Sequence, residues 1–109
     1  MTVVYVTQQS NPAATTATDL YTVPTVSVSK IVTITVCNQG VAGSFRISRS
    51  VGGGATAAKD YLFYDAPIAA SGTAPYVITT PFFTNTADKI KVYASHANMS
   101  FQLDAQETT

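Results

Sequence analysis

The sequence predicts an all-β fold: an antiparallel, jelly-roll-like β-sandwich of about eight short strands with an extended N-terminal strand or arm. Three observations predict it. Apolar and polar residues alternate with a period of two in several segments rich in Val, Ile and Thr, the residue types that suit a pleated surface. Clusters of Gly, Pro, Asn and Ser separate those segments. Helical periodicity is nowhere sustained. At 109 residues the chain is one domain with room for a single hydrophobic core.

The first strand is expected at 2–8, where Val3, Val4, Tyr5 and Val6 form an uncharged run. Residues 8–18, QQSNPAATTAT, are small and polar and read as a linker. The expected organisation is therefore an N-terminal strand and linker arm over 1–18 and a β-sandwich domain over 19–109. An uncharged strand is an aggregation hazard unless it pairs. It either completes its own sheet or adds to the sheet of a neighbouring subunit.

A second strand is expected around 19–23, DLYTV. In KIVTITVCN, residues 30–38, Val32, Ile34 and Val36 alternate with Ile31, Thr33, Thr35 and Cys37. SFRIS, 44–48, sets Phe45 and Ile47 against Arg46 and Ser48. After Gly52, Gly53 and Gly54, ATAAK has the composition for one helical turn. Further strands are expected at 60–66 and at 75–83, PYVITTPFF. DKIKVYA, 88–94, turns Ile90, Val92 and Ala94 inward and Lys89, Lys91 and Tyr93 outward. NMSFQLD, 98–104, sets Met99, Phe101 and Leu103 against Ser100, Gln102 and Asp104.

The strand at 60–66 lacks an evident water-facing side. Tyr61 and Phe63 share one face of a regular strand, and Leu62 and Tyr64 share the other. One pair is expected to fill the core and the other to lie against a neighbour.

Charge is sparse: charged residues make up 11% of the chain, and six basic and six acidic side chains cancel. Proteins near zero net charge tend to associate, and nucleic-acid binding through a basic surface is not expected. A single cysteine, Cys37, allows no intrachain disulfide and reads as a small buried hydrophobe suited to a reducing compartment. Neither an export signal nor a membrane-spanning run is evident, so no membrane partner is expected. Asn98, Met99 and Ser100 match a glycosylation sequon, which without a secretion signal carries little.

Candidates for chemistry are few. His96, the only histidine, falls at a junction between strands without an evident nucleophile or orienting acid. Asp60 and Asp65 flank the aromatic strand, but their odd spacing sends them to opposite faces, so solubilising ends to an apolar strand explain them better than acid–base or calcium chemistry. Asp88 is expected to shape the turn into its strand. The glycine triplet lacks the Gly-Lys-Ser/Thr ending of a phosphate loop, since Lys59 arrives late and is followed by Asp60. Arg46 and Arg49 read as a solvated face or as intersubunit ion pairs. No catalytic residue, metal site or cofactor is expected. Tyr64, Tyr76 and Tyr93 could stack on sugars, but with tryptophan absent, burial between subunits suits these tyrosines better.

LYTVP at 20–24, ITVCNQG at 34–40, FRIS at 45–48, YLFYDAPIAA at 61–70, ADKIKVYAS at 87–95 and ANMSFQLDAQE at 97–107 occur in an order that resembles small virion structural proteins of tailed bacteriophages. The resemblance spans roughly residues 19–107. The chain departs from that pattern after Pro24, at TVSVS, and at PYVITTPFFTNTAD. What the resemblance implies is a non-enzymatic β-sandwich of the virion, assembled in the host cytoplasm. The leading expectation is a capsid decoration (cement) protein bridging shell subunits. A neck, collar or tail-fibre adaptor is the alternative, and a glycan- or receptor-binding module a more distant one. The expected partners are the major capsid protein or other virion proteins, and further copies of the chain in a trimer or higher oligomer. The expected interface residues are Val3, Val4, Tyr5, Val6, Tyr61, Phe63, Tyr64, Tyr76 and Tyr93.

Overall fold

The computed structural model describes residues 2–72, 75–79 and 81–109. Among them nine strands form two antiparallel sheets: β1 (Val3–Ser10), β2 (Thr18–Thr22), β3 (Val28–Asn38), β4 (Gly43–Ser50), β5 (Tyr61–Ile68), β6 (Tyr76–Ile78), β7 (Phe82–Thr84), β8 (Lys89–Ala94) and β9 (Met99–Thr108). The larger sheet runs β1-β9-β3-β6, with β7 also on β3, and the smaller runs β2-β8-β4-β5. With β6 and β7 taken as one interrupted strand, the chain crosses between the sheets in the connectivity of a jelly roll. The expected β-sandwich is the fold.

The core follows from the alternation. Ile34, Val36, Phe101 and Leu103 from the larger sheet meet Phe45, Ile47, Ile90 and Val92 from the smaller one, all essentially excluded from solvent. Burying each such side chain contributes about 1.5–3 kcal/mol relative to exposure. Phe45 sits at the centre, 6.3 Å from Phe101 across the sandwich and 5.9 Å from Phe63 along its own sheet.

Bulges correct the sequence reading in two strands. In β3 the pairing with β9 shifts between Ile31 and Thr33, so Ile31 is buried while Val32 is 39% exposed. The same shift carries Ile34 and Val36 inward, leaving Cys37 half-buried on the outer side rather than in the core. In β5 the pairing with β4 shifts twice, between Phe45 and Ile47 and between Ile47 and Ser48. Asp65, the second of the two residues opposite Arg46 in the first of these bulges, adopts a left-handed conformation there, at φ 51°. Parity therefore changes along the strand: Phe63 packs on the core, and the inward role then passes to Ala66 and Ile68.

The expected strand at 75–83 is two strands of three residues each, β6 and β7, interrupted where Pro81 removes a donor and fixes its φ. The expected helical turn is a 3-10 turn at Ala58–Asp60. Of the segment 1–18 that the sequence reads as an arm, residues 2–18 do not form a loose one. All eight residues of β1 pair with β9, from Val3 opposite Thr108 to Ser10 opposite Phe101. The segment after β1 is also tied down: Asn11 Nδ2 donates to Met99 O at 2.8 Å, Pro12 is buried, and Thr15 N donates to Ala94 O at 2.8 Å.

Candidate functional site

A strand in a sheet satisfies one row of backbone groups on each side, so the last strand of a sheet leaves one row open. The strand order places β1, β2, β5 and the short β6 and β7 at sheet margins. Four of these are guarded. β2 has five residues, a bulge between Asp19 and Tyr21, and the charge of Asp19. β5 carries two bulges, Pro67 and Asp65. β6 and β7 are three residues long and lie beside Pro75 and Pro81. β1 has no charge, proline, glycine or bulge along its eight residues. On its flanks Val3 and Val4 are exposed, Tyr5 is 83% exposed, and only Val6 of the four apolar residues packs on the core.

The aromatic candidates lie mainly on the β5 side, and they touch one another. The Arg46 guanidinium lies between the rings of Tyr64 and Tyr93, at 4.2 and 4.3 Å from their centroids. Its Nε and Nη2 donate to Asp65 at 2.7 and 3.3 Å. Those hydrogen bonds hold the guanidinium's pKa above its ordinary value. Tyr61 meets Tyr64 edge-on at 4.8 Å, a contact between residues that a regular strand would turn to opposite faces. Tyr76 packs against Phe45 at 5.4 Å and Phe63 at 5.7 Å. The surplus aromatics of the sequence are thus engaged in part within the chain. Tyr64 and Leu62 remain exposed.

The remaining polar candidates hold turns. Asp88 is buried and accepts from Gly52 N at 2.8 Å and Asn85 N at 2.9 Å, so a carboxylate of the chain itself occupies an amide of the glycine triplet. Asp60 Oδ2 accepts from Ala57 N at 2.8 Å, and Asp65 is bound to Arg46. His96 Nδ1 accepts from Asn98 N at 3.1 Å, which makes Nε2 the protonated nitrogen that donates to Val41 O at 2.8 Å. Asn38 donates to Val41 O and Ala69 O and accepts from Gly40 N, fastening the β3–β4 turn to the end of β5. Among the described residues no group of three or more His, Cys, Asp and Glu gathers as metal ligands. Nor is any helix there long and apolar enough to cross a membrane.

One polar contact ties the sheets together on the β1 side. Tyr21 of β2 is buried and its hydroxyl donates to Glu107 Oε2 of β9 at 2.5 Å. Burial, with the carboxylate's help, pushes the phenol's pKa up to about 12. Glu107 is the register partner of Val4, so this bond supports the start of β1 from beneath.

No family model, curated protein or solved structure matches the chain.

Proposed function

We propose that the protein is a non-enzymatic structural subunit of a tailed-bacteriophage virion, decorating the head as a cement protein that bridges shell subunits. The observation that carries the assembly reading is the unguarded β1 edge on a sandwich whose other margins are all blocked. An edge of this kind takes another strand by β-augmentation, where backbone hydrogen bonds supply affinity and flanking side chains supply register. Val3, Val4 and Tyr5 would meet the added strand's neighbours, and Leu62 and Tyr64 offer a second apolar contact at the far margin. The virion reading rests on the ordered motifs from LYTVP to ANMSFQLDAQE.

Such a subunit works by binding alone. Occupying the assembled shell and not its dissociated parts stabilises the assembly by mass action. The low charge of the chain suits a surface covered by neighbours.

A reconstruction of the purified virion tests the proposal. The expected result is this sandwich on the head surface, in a copy number comparable to that of the shell subunit, with a neighbouring strand along β1. A few copies at the neck or tail would transfer the protein to an adaptor role, and absence from mature particles would overturn the reading.

A further inference from the structure

We propose that a cleft over the outer face of the smaller sheet binds a carboxylate-bearing pyranose, a uronic-acid unit of an acidic polysaccharide. This goes beyond the assembly role and is independent of it, because the cleft lies on β4 and β8 whereas β1 belongs to the other sheet.

The cleft has a volume of about 230 Å³, enclosed by the loop after β1, by β4 and β8, and by the start of β5. Its loop wall is fixed in place by the hydrogen bond from Thr15 N to Ala94 O. Two cations line it, Arg46 and Lys91. Asp65 neutralises Arg46 but occupies only Nε and Nη2; Nη1 has no hydrogen bond among the described residues. Lys91 stands opposite Asp19 in the β2–β8 pairing, yet Asp19 is paired with Lys89 at 3.4 Å. Among the described residues Lys91 has no ion pair. Two cations against the single carboxylate of Asp65 leave one positive charge to be met, which matches a singly charged ligand.

The other lining groups select what carries that charge. Tyr61 and Tyr93 supply aromatic walls, held by Tyr64 and by Arg46 respectively. The Ser48 hydroxyl has no hydrogen-bond partner among the described residues, and Thr15 Oγ1, which donates to Ala14 O at 2.7 Å, still has lone pairs free to accept. A pyranose carboxylate uses charge, ring face and hydroxyls together. An aspartate or glutamate side chain of a partner protein would meet the charge and leave the hydroxyls unused. Because the walls are already braced, little ordering opposes binding.

Calorimetric titration of the purified protein with tri-galacturonate, a neutral galactose trisaccharide and a blocked glutamate-containing peptide tests this. Tri-galacturonate is expected to bind, more weakly at high salt, while the other two do not. Lys91→Gln and Lys91→Met, each confirmed folded by its melting curve, should weaken binding by about tenfold or more, the scale of one charge-assisted hydrogen bond. Lys59→Gln, outside the cleft, should leave it unchanged. Absence of tri-galacturonate binding, equal binding of the peptide, or full affinity in both Lys91 variants would overturn the proposal. None of these outcomes bears on whether β1 joins a neighbour.

Discussion

The two lateral margins of the sandwich are held by different forces. At the β5 margin side chains do the holding: Phe63 and Tyr76 pack on Phe45, Arg46 is stacked between two tyrosines, and Asp65 closes the bulge with an ion pair. At the β1 margin the backbone ladder to β9 does most of it, helped by Val6 and by the bond from Thr7 Oγ1 to Asp104 at 3.1 Å. A margin locked by side chains tolerates irregular pairing and so blocks further strands. A margin held by regular pairing stays open to one more.

Substitutions at both margins test that contrast, and the largest effect is expected at the locked margin. Phe45→Ala removes the ring on which Phe63 and Tyr76 rest and should cost about 3–5 kcal/mol in denaturant unfolding. A cost no greater than that of Val6→Ala would show that the β5 side is not held by its aromatics. Asp65→Val forces a β-branched residue into the left-handed region and should cost about 1–3 kcal/mol from backbone strain. Asp65→Asn tolerates that conformation and loses only an exposed ion pair, so its unfolding curve should move little.

At the β1 margin the expected effects are smaller and one depends on pH. The buried Tyr21 phenol keeps its proton to about pH 12 in the folded protein, against an ordinary value near 10. Its folded pKa is raised, so the folded state binds more protons in that interval. The stabilisation is complete below about pH 10 and is lost as pH rises towards 12. Tyr21→Phe should cost about 1 kcal/mol at neutral pH and should flatten this alkaline decline. An equally steep decline in Tyr21→Phe would place the titrating group elsewhere. Smallest of all, Tyr5→Lys should change monomer stability by no more than about 0.5 kcal/mol, since the ring is exposed. Under the virion role proposed above, it should nonetheless abolish incorporation into particles, because a charge beside an open edge is a natural guard against strand addition. Normal occupancy of Tyr5→Lys in particles would remove β1 from the proposed interface.

Much of the fold is legible in the sequence because its strands obey one local rule. Met99, Phe101 and Leu103 lie inside as the alternation of β9 requires, and so do Ile90, Val92 and Ala94 of β8. The rule fails where a strand slips by one residue. The β3 bulge moves Val32 and Cys37 off the faces that alternation and composition assign them, and the bulges of β5 undo the division of residues 61–64 into a core pair and a neighbour pair. Nothing local in KIVTITVCN or YLFYDAPI marks those slips, because a bulge is set by what the partner strand can pair with.

The candidate surfaces divide in the same way. The uncharged run from Val3 to Val6 points to an open edge by residue type alone. Lys91 is legible only as an outward lysine: its lack of a counter-ion among the described residues follows from Asp19 pairing with Lys89 two residues along β8, and its place in a cleft from a loop more than seventy residues away in sequence.

The strands, most of their inward faces and the absence of charge on β1 are written locally in the chain, because side-chain alternation and turn chemistry act over a few residues. The jelly-roll order, the bulges, the pairing of β1 with its own sheet and the meeting of Arg46, Asp65 and the tyrosines arise only on folding. Each of these depends on which distant strand lies alongside, and that is settled only when the two sheets close on a common core.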